Sequence, residues 1–278
     1  MKRVIMKRVV MKKLLVRSLL NIVGISTLFL GSVIWQHNAH GAASISFSKY
    51  RFVFDDKLRQ DSLVLSNSGS SAAICNLSAE NFLMSADGPL KLATENDEIL
   101  NSAEKIIRYS PRRVTLNAAS KQTVRIASRR RPNIKDGEYL SYLKISCIEQ
   151  TAPNQAQRAQ IAVNANFVYY IPLQVRMGKL MASTRIENAK ISSSEGRYSV
   201  SFDHIREGNR SVVGNIAVVE KKSGNSLGLL NNTVIYMPFT KKQHKISLNS
   251  PPEGPVEIIF TEEQASRGSL VAKTTVQP

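Results

Sequence analysis

Gln160-Ile161-Ala162-Val163-Asn164-Ala165-Asn166-Phe167-Val168-Tyr169-Tyr170 is the stretch on which the fold turns. Its odd positions are Ile161, Val163, Ala165, Phe167 and Tyr169. Its even positions are Gln160, Ala162, Asn164 and Asn166, followed by Val168 and Tyr170. A period of two belongs to a β-strand, whose side chains point alternately to opposite faces. Such a strand has two uses. It can lie inside a sheet with one face in the core. It can also be an edge strand that lends its apolar side chains to an incomplete partner sandwich; main-chain hydrogen bonds then supply affinity and alternate side chains fill pockets. An exposed edge is otherwise a liability.

The same alternation repeats outward in both directions. Upstream, it predicts strands over Ser44–Phe54, with a kink or bulge near Tyr50, and over Asp61–Asn67, Ala72–Phe82, Lys105–Tyr109, Val114–Leu116, Gln122–Ala127 and Glu138–Glu149. Downstream, it predicts Ser183–Ile191, Arg197–Ile205, Val212–Glu220, Asn232–Met237, His244–Leu248, Val256–Phe260 and Ser269–Val276. No stretch of useful length keeps the helical spacing. The class is all-β, and 278 residues suit two immunoglobulin-like sandwiches in tandem at about 100 residues each. The long central strand is expected to end at Pro172, with Met177-Gly178-Lys179 as a joint. The expected domains are residues 42–175 and 176–278.

Residues 1–41 read as a signal peptide. A basic segment to Arg17 precedes an apolar run from Ser18 to Trp35, and small residues follow. Ala39 and Gly41 suit cleavage before Ala42; Gly41 and Ala43 suit cleavage before Ser44. The rival reading is an uncleaved anchor, because the run is about long enough to span a bilayer. Formal charge is +17, and removing the seven leader cations leaves +10. A basic surface keeps a protein soluble and also suits an acidic partner, a nucleic acid or an anionic membrane surface. Arg129-Arg130-Arg131, with no aromatic nearby, reads as a solvated run rather than a nucleic-acid contact.

Nothing nominates a catalytic residue, a metal site or a cofactor. His37 and His40 lie in the leader, and His204 and His244 are the remaining histidines. Neither sits in a recognisable catalytic motif, and no phosphate-cradling glycine loop exists. Cys75 and Cys147 are the only cysteines. In an exported chain an even pair reads as a disulfide, the alternative being two buried thiols.

Five stretches occur in a meaningful order. They are Arg51-Phe52-Val53-Phe54; Ser62-Leu63-Val64-Leu65-Ser66-Asn67-Ser68; Tyr109-Ser110-Pro111 leading to Gln122-Thr123-Val124-Arg125-Ile126; Asp136-Gly137-Glu138-Tyr139-Leu140-Ser141-Tyr142-Leu143; and Gln160-Ile161-Ala162-Val163. Behind a signal peptide, they resemble the periplasmic chaperones of the usher pathway, which fold and cap pilus subunits. The resemblance implies a chaperone in the periplasm whose partners are pilin-like subunits and an outer-membrane usher, with a self-capping oligomer as another way to cover the edge. It implies neither nucleic acid nor membrane insertion after signal cleavage. Carried over by position, the donor residues are Ile161, Val163, Ala165 and Phe167, and Arg51 anchors the subunit's C-terminal carboxylate. The family usually adds a donor-strand lysine to that anchor; an ungapped match places Val168 there, leaving Arg176 as a substitute. The arginine that usually ties the two domains together has no counterpart in this match. The alternative function is a structural pilus or adhesin-type sandwich protein exported to the cell surface.

Overall fold

The computed structural model describes residues 42–83, 90–99, 101–130, 134–150 and 166–278. The expected signal segment, the Thr151–Arg158 loop, Arg131, and the donor positions Ile161, Val163 and Ala165 lie outside the described residues.

The chain forms two β-sandwiches, each an immunoglobulin-like pair of sheets. In the first, β1 (Ile45–Phe47), β3 (Gln60–Asn67), β9 (Lys121–Ser128) and β7 (Ile107–Ser110) make one sheet in the order β1-β3-β9-β7. The facing sheet runs β2-β11-β10-β4-β8, from β2 (Phe52–Phe54), β11 (Asn166–Met177), β10 (Gly137–Glu149), β4 (Ala73–Glu80) and β8 (Arg113–Leu116). A small pair, β5 (Phe82–Leu83) and β6 (Lys91–Leu92), stands outside both. In the second sandwich, β12 (Ala182–Ser194), β13 (Arg197–Gly208) and β16 (Lys241–Ser247) face the sheet β15-β14-β17-β18. Those four are β14 (Val212–Glu220), β15 (Ser226–Ile235), β17 (Val256–Glu262) and β18 (Val271–Val276).

Period two built both interiors. Leu63 and Leu65 of β3, Val124 and Ile126 of β9, and Leu143 and Ile145 of β10 are fully buried in the first core. Val200 and Phe202 of β13, Ile216 and Val218 of β14, and Ile258 and Phe260 of β17 fill the second. Each such side chain contributes about 1.5–3 kcal/mol relative to exposure. Cys75 and Cys147 are cross-strand partners on β4 and β10, fully buried and joined as a disulfide.

Three expectations change. The kinked first strand is two strands in two sheets: β1 pairs β3, the chain turns at the exposed Tyr50, and β2 pairs β11 in parallel. That crossing lets both register sets, Phe47 and then Phe52 with Phe54, reach one core. The central strand does not stop at Pro172. It continues to Met177, and Pro172 is tolerated because, among the described residues, β11 has a neighbour only on its β10 side until Leu173. In the second sandwich β15 begins at Ser226, not Asn232. Asn231-Asn232 reads as a break, but the strand absorbs it in a bulge: Asn232 adopts φ 55° and its N–H donates to Asn215 Oδ1, while the register shifts between Gly214 and Ile216.

Candidate functional site

The site lies where β2 meets β11. Phe52 aligns with Leu173 and Val53 with Gln174. Phe52 and Leu173 point into the first sandwich, so Arg51, Val53 and Gln174 occupy the opposite face, toward the second sandwich. Arg51 Nη1 donates to Tyr236 Oη at 2.8 Å and to Gln174 Oε1 at 3.4 Å. Its guanidinium carbon stands 5.8 Å from the centre of the Tyr236 ring, within reach of a cation–π contact. Among the described residues no carboxylate pairs with Arg51. Beside it opens a cleft of about 610 Å³, lined among others by Lys49, Asp61, Asn232, Glu263 and Arg267.

Gln174 therefore stands next to Arg51. Val168 does not: it lies on the outer face of β11 opposite Ser146, largely exposed. Arg176, the other candidate, is bonded elsewhere. Its Nε donates to Glu138 Oε2 at 3.0 Å, its Nη1 to Ser266 O at 2.7 Å and its Nη2 to Ser211 O at 3.2 Å. Glu138 also accepts from Ser211 N at 3.1 Å and from Ser211 Oγ, which in turn accepts from Met237 N at 2.9 Å. Glu138, Arg176, Ser211 and Ser266 are all buried. Arg176 thus ties the two sandwiches together. A second tie is Asp55 to Arg267; although burial pushes the Asp55 carboxyl up, hydrogen bonds from Arg267 and from the Leu58 and Lys57 backbone hold it below its usual range.

The edge of β11 is the second component. On one side β11 pairs with β10 from Asn166 to Met177. On the other it pairs with β2 only at Leu173–Val175. Among the described residues nothing pairs with the edge from Asn166 to Pro172. Phe167 and Tyr169 pack against the first core, the Tyr169 ring 4.7 Å from Phe47, whereas Val168 and Tyr170 are exposed. Of the basic run, Arg130 pairs with Asp136 at 2.9 Å.

Two polar atoms at the site have no partner. Gln174 Nε2 and Tyr142 Oη are buried and make no hydrogen bond. Burial pushes the Tyr142 pKa strongly up, and the Tyr236 hydroxyl beside it adds to the rise. The sequence reading names Arg51 but neither Gln174 nor Tyr236, which the fold brings to it. Among the described residues no group of three or more His, Cys, Asp and Glu is placed to hold a metal.

No family model and no curated protein matches the chain. Among solved structures, the YadV chaperone is similar over 84% of this chain and 99% of its own, with 13% identity and a TM-score of 0.46. The chain is similar in fold to chaperones. The periplasmic chaperone SfaE covers 84% of this chain and 98% of its own at 15% identity and a TM-score of 0.42. The SafB chaperone, solved in complex with the Salmonella enterica SafA pilin, covers 84% and 96% at 13% identity and 0.44.

Proposed function

We propose that this chain is a periplasmic, non-enzymatic chaperone that holds pilus-type subunits on the edge of β11 for delivery to an outer-membrane usher. The observation that carries the reading is the half-covered edge. β2 occupies the outer side of β11 only from Leu173 onward and runs parallel to it. A guest strand lying beside Asn166–Pro172 in the same direction is collinear with β2. Its C-terminus then arrives at the start of β2, where Arg51 stands. A guanidinium there meets a terminal carboxylate by charge-assisted hydrogen bonds.

A subunit that lacks one strand gains main-chain hydrogen bonds from this edge, and alternate side chains fill its open groove. Ile161, Val163, Ala165 and Phe167 share one strand parity. Burying aliphatic side chains such as Ile161 and Val163 contributes about 1.5–3 kcal/mol each. Phe167 already leans on the first core, which makes the residues ahead of it the main donors.

The test is Ile161→Asp with Val163→Asp, co-expressed with pilin-like subunits of the same bacterium. Capture of the subunits from the periplasm is expected to be lost while the chaperone still accumulates. Undiminished capture overturns the reading. Recovery of the chain in sheared surface fibres would instead favour a structural pilus component.

A further inference from the structure

Arg59, Arg130, Arg185, Arg197, Arg210 and Arg267 each hold an aspartate or a glutamate. Arg108, Arg125 and Arg129 hold none among the described residues, and all three are exposed around one hollow. Period two brings them together. Val124 and Ile126 of β9 point into the first core, so Arg125 and Ala127 point outward. Arg129 continues that parity past the strand, its N–H donating to Ile106 O at 2.7 Å. Ala127 aligns with Arg108 of β7. Arg125 and Arg129 are therefore both diagonal neighbours of Arg108, about 7–8 Å away across the ladder. The small Ala127 side chain at their centre leaves a hollow of about 560 Å³. Ser62 and Ser110, both opposite Arg125 and both exposed, add hydroxyls to it. The carboxylate that lines it, Asp61, is taken by Lys49. Like charges gathered on one sheet face repel each other until an anion arrives.

We infer that Arg108, Arg125 and Arg129, with the hydroxyls of Ser62 and Ser110, form a binding site for a phosphomonoester. The site lies on the sheet opposite the one that holds β11, and it does not depend on the chaperone reading. Three guanidiniums match a dianion, and their planar forks take phosphate oxygens in pairs. A single carboxylate would leave most of that charge unmatched. Arg108 is already set in place, because its Nη1 donates to Ile107 O at 2.7 Å and to Lys105 O at 3.3 Å. That contact also occupies main-chain acceptors on and beside β7, the last strand of its sheet, which disfavours an acidic peptide adding there as a strand. Single-stranded nucleic acid calls for an open aromatic platform; Tyr109, the aromatic at the hollow, is half-buried with Arg112 stacked 5.6 Å from its centre. A soluble phosphate ester and a lipid headgroup present the same chemistry to this site.

Two probes separate those sources: glycerol 3-phosphate in solution, and phosphatidylcholine vesicles containing phosphatidic acid, read against phosphatidylcholine alone. Calorimetry on the purified protein measures the first and co-sedimentation the second. Binding of the soluble ester assigns a free phosphate as ligand; binding on vesicles alone assigns a headgroup. Arg125→Gln with Arg129→Gln should weaken binding roughly tenfold or more and leave the melting temperature unchanged, since both side chains are exposed. Lys190→Gln with Lys245→Gln removes as much charge from the second sandwich, where both residues lie opposite Ser201. It should weaken binding less than about twofold. No binding of either probe overturns the inference. So does an equal loss in the two variants, which would reduce the effect to overall basicity. A glutamate-rich peptide that displaces the bound probe at lower concentration than glycerol 3-phosphate does would also overturn it, and would assign the face to an acidic protein.

Discussion

Replacing Glu138 by Gln perturbs the joint between the sandwiches with almost no change of shape. Glu138 is 5% exposed and faces Arg176, 6% exposed, across the β10–β11 pair. Its carboxylate receives Arg176 Nε, Ser211 N and Ser211 Oγ. The amide keeps one good acceptor but turns the other oxygen into a donor aimed at donors. It also leaves a buried guanidinium without a countercharge, and breaking a buried pair from one side costs about 3–5 kcal/mol. For a chain of this size 1 kcal/mol corresponds to about 2–4 °C, so Glu138→Gln should lower the melting temperature by roughly 6–20 °C. Because Ser211 and Ser266 belong to the second sandwich, the loss should fall on its attachment. Calorimetry should then show one transition splitting into two. Arg176→Met alone should be comparably harmful, and the double variant should be better than the sum of the singles by up to about 3 kcal/mol. A melting shift below about 2 °C, or strict additivity in the cycle, would refute the claim that this ion pair holds the joint.

Two further perturbations follow from the cores. His204 and His244 sit buried with ring centres 5.8 Å apart, His204 Nε2 2.6 Å from Thr184 Oγ1 and its Nδ1 unpartnered. Burial holds the pKa of both at about 4, helped at His204 by His244 and at both by Lys242. They are neutral in the fold, whereas the unfolded chain takes up protons below about pH 6.5; stability is therefore complete above that value and falls as pH drops toward 4. The loss between pH 7 and pH 5 should be about 1–2 kcal/mol per histidine, measured by urea unfolding, and His204→Gln with His244→Phe should flatten it; an equally steep double variant would sink the assignment. The Cys75–Cys147 disulfide spans 72 residues, and a loop of that length contributes about 4–5 kcal/mol in the chain-entropy model. Cys75→Ala with Cys147→Ala should lower stability by a similar amount, and a loss under about 1 kcal/mol would show that the bridge does not act through the unfolded chain.

Alternation along a strand says which side faces that strand's own core, and this much of the fold is legible in the sequence. It is why Leu143, Ile145 and Cys147, or Val200 and Phe202, group together on period two alone, with His204 and Arg206 continuing the β13 series inward. Alternation says nothing about what the other side meets. Glu138, Tyr142, Gln174 and Arg176 all lie on the outward parity of β10 and β11, where polar residues read as solvated, yet each is buried: the second sandwich meets Glu138 and Arg176, the β5 strand meets Tyr142, and Arg51 meets Gln174. The neighbour of Arg51 is misplaced for a related reason. Counting without a gap from Gln160 puts the lysine position at Val168, six residues short of Gln174. Only the parallel register of β2 on β11 decides which residue stands beside Arg51, and that register depends on the chain crossing between sheets at Tyr50. A one-dimensional pattern can therefore nominate Arg51 from its motif. Its neutral partners are Gln174, set by the β2–β11 register, and Tyr236, just past the end of β15 in the second sandwich, which the contacts between the sandwiches bring to it.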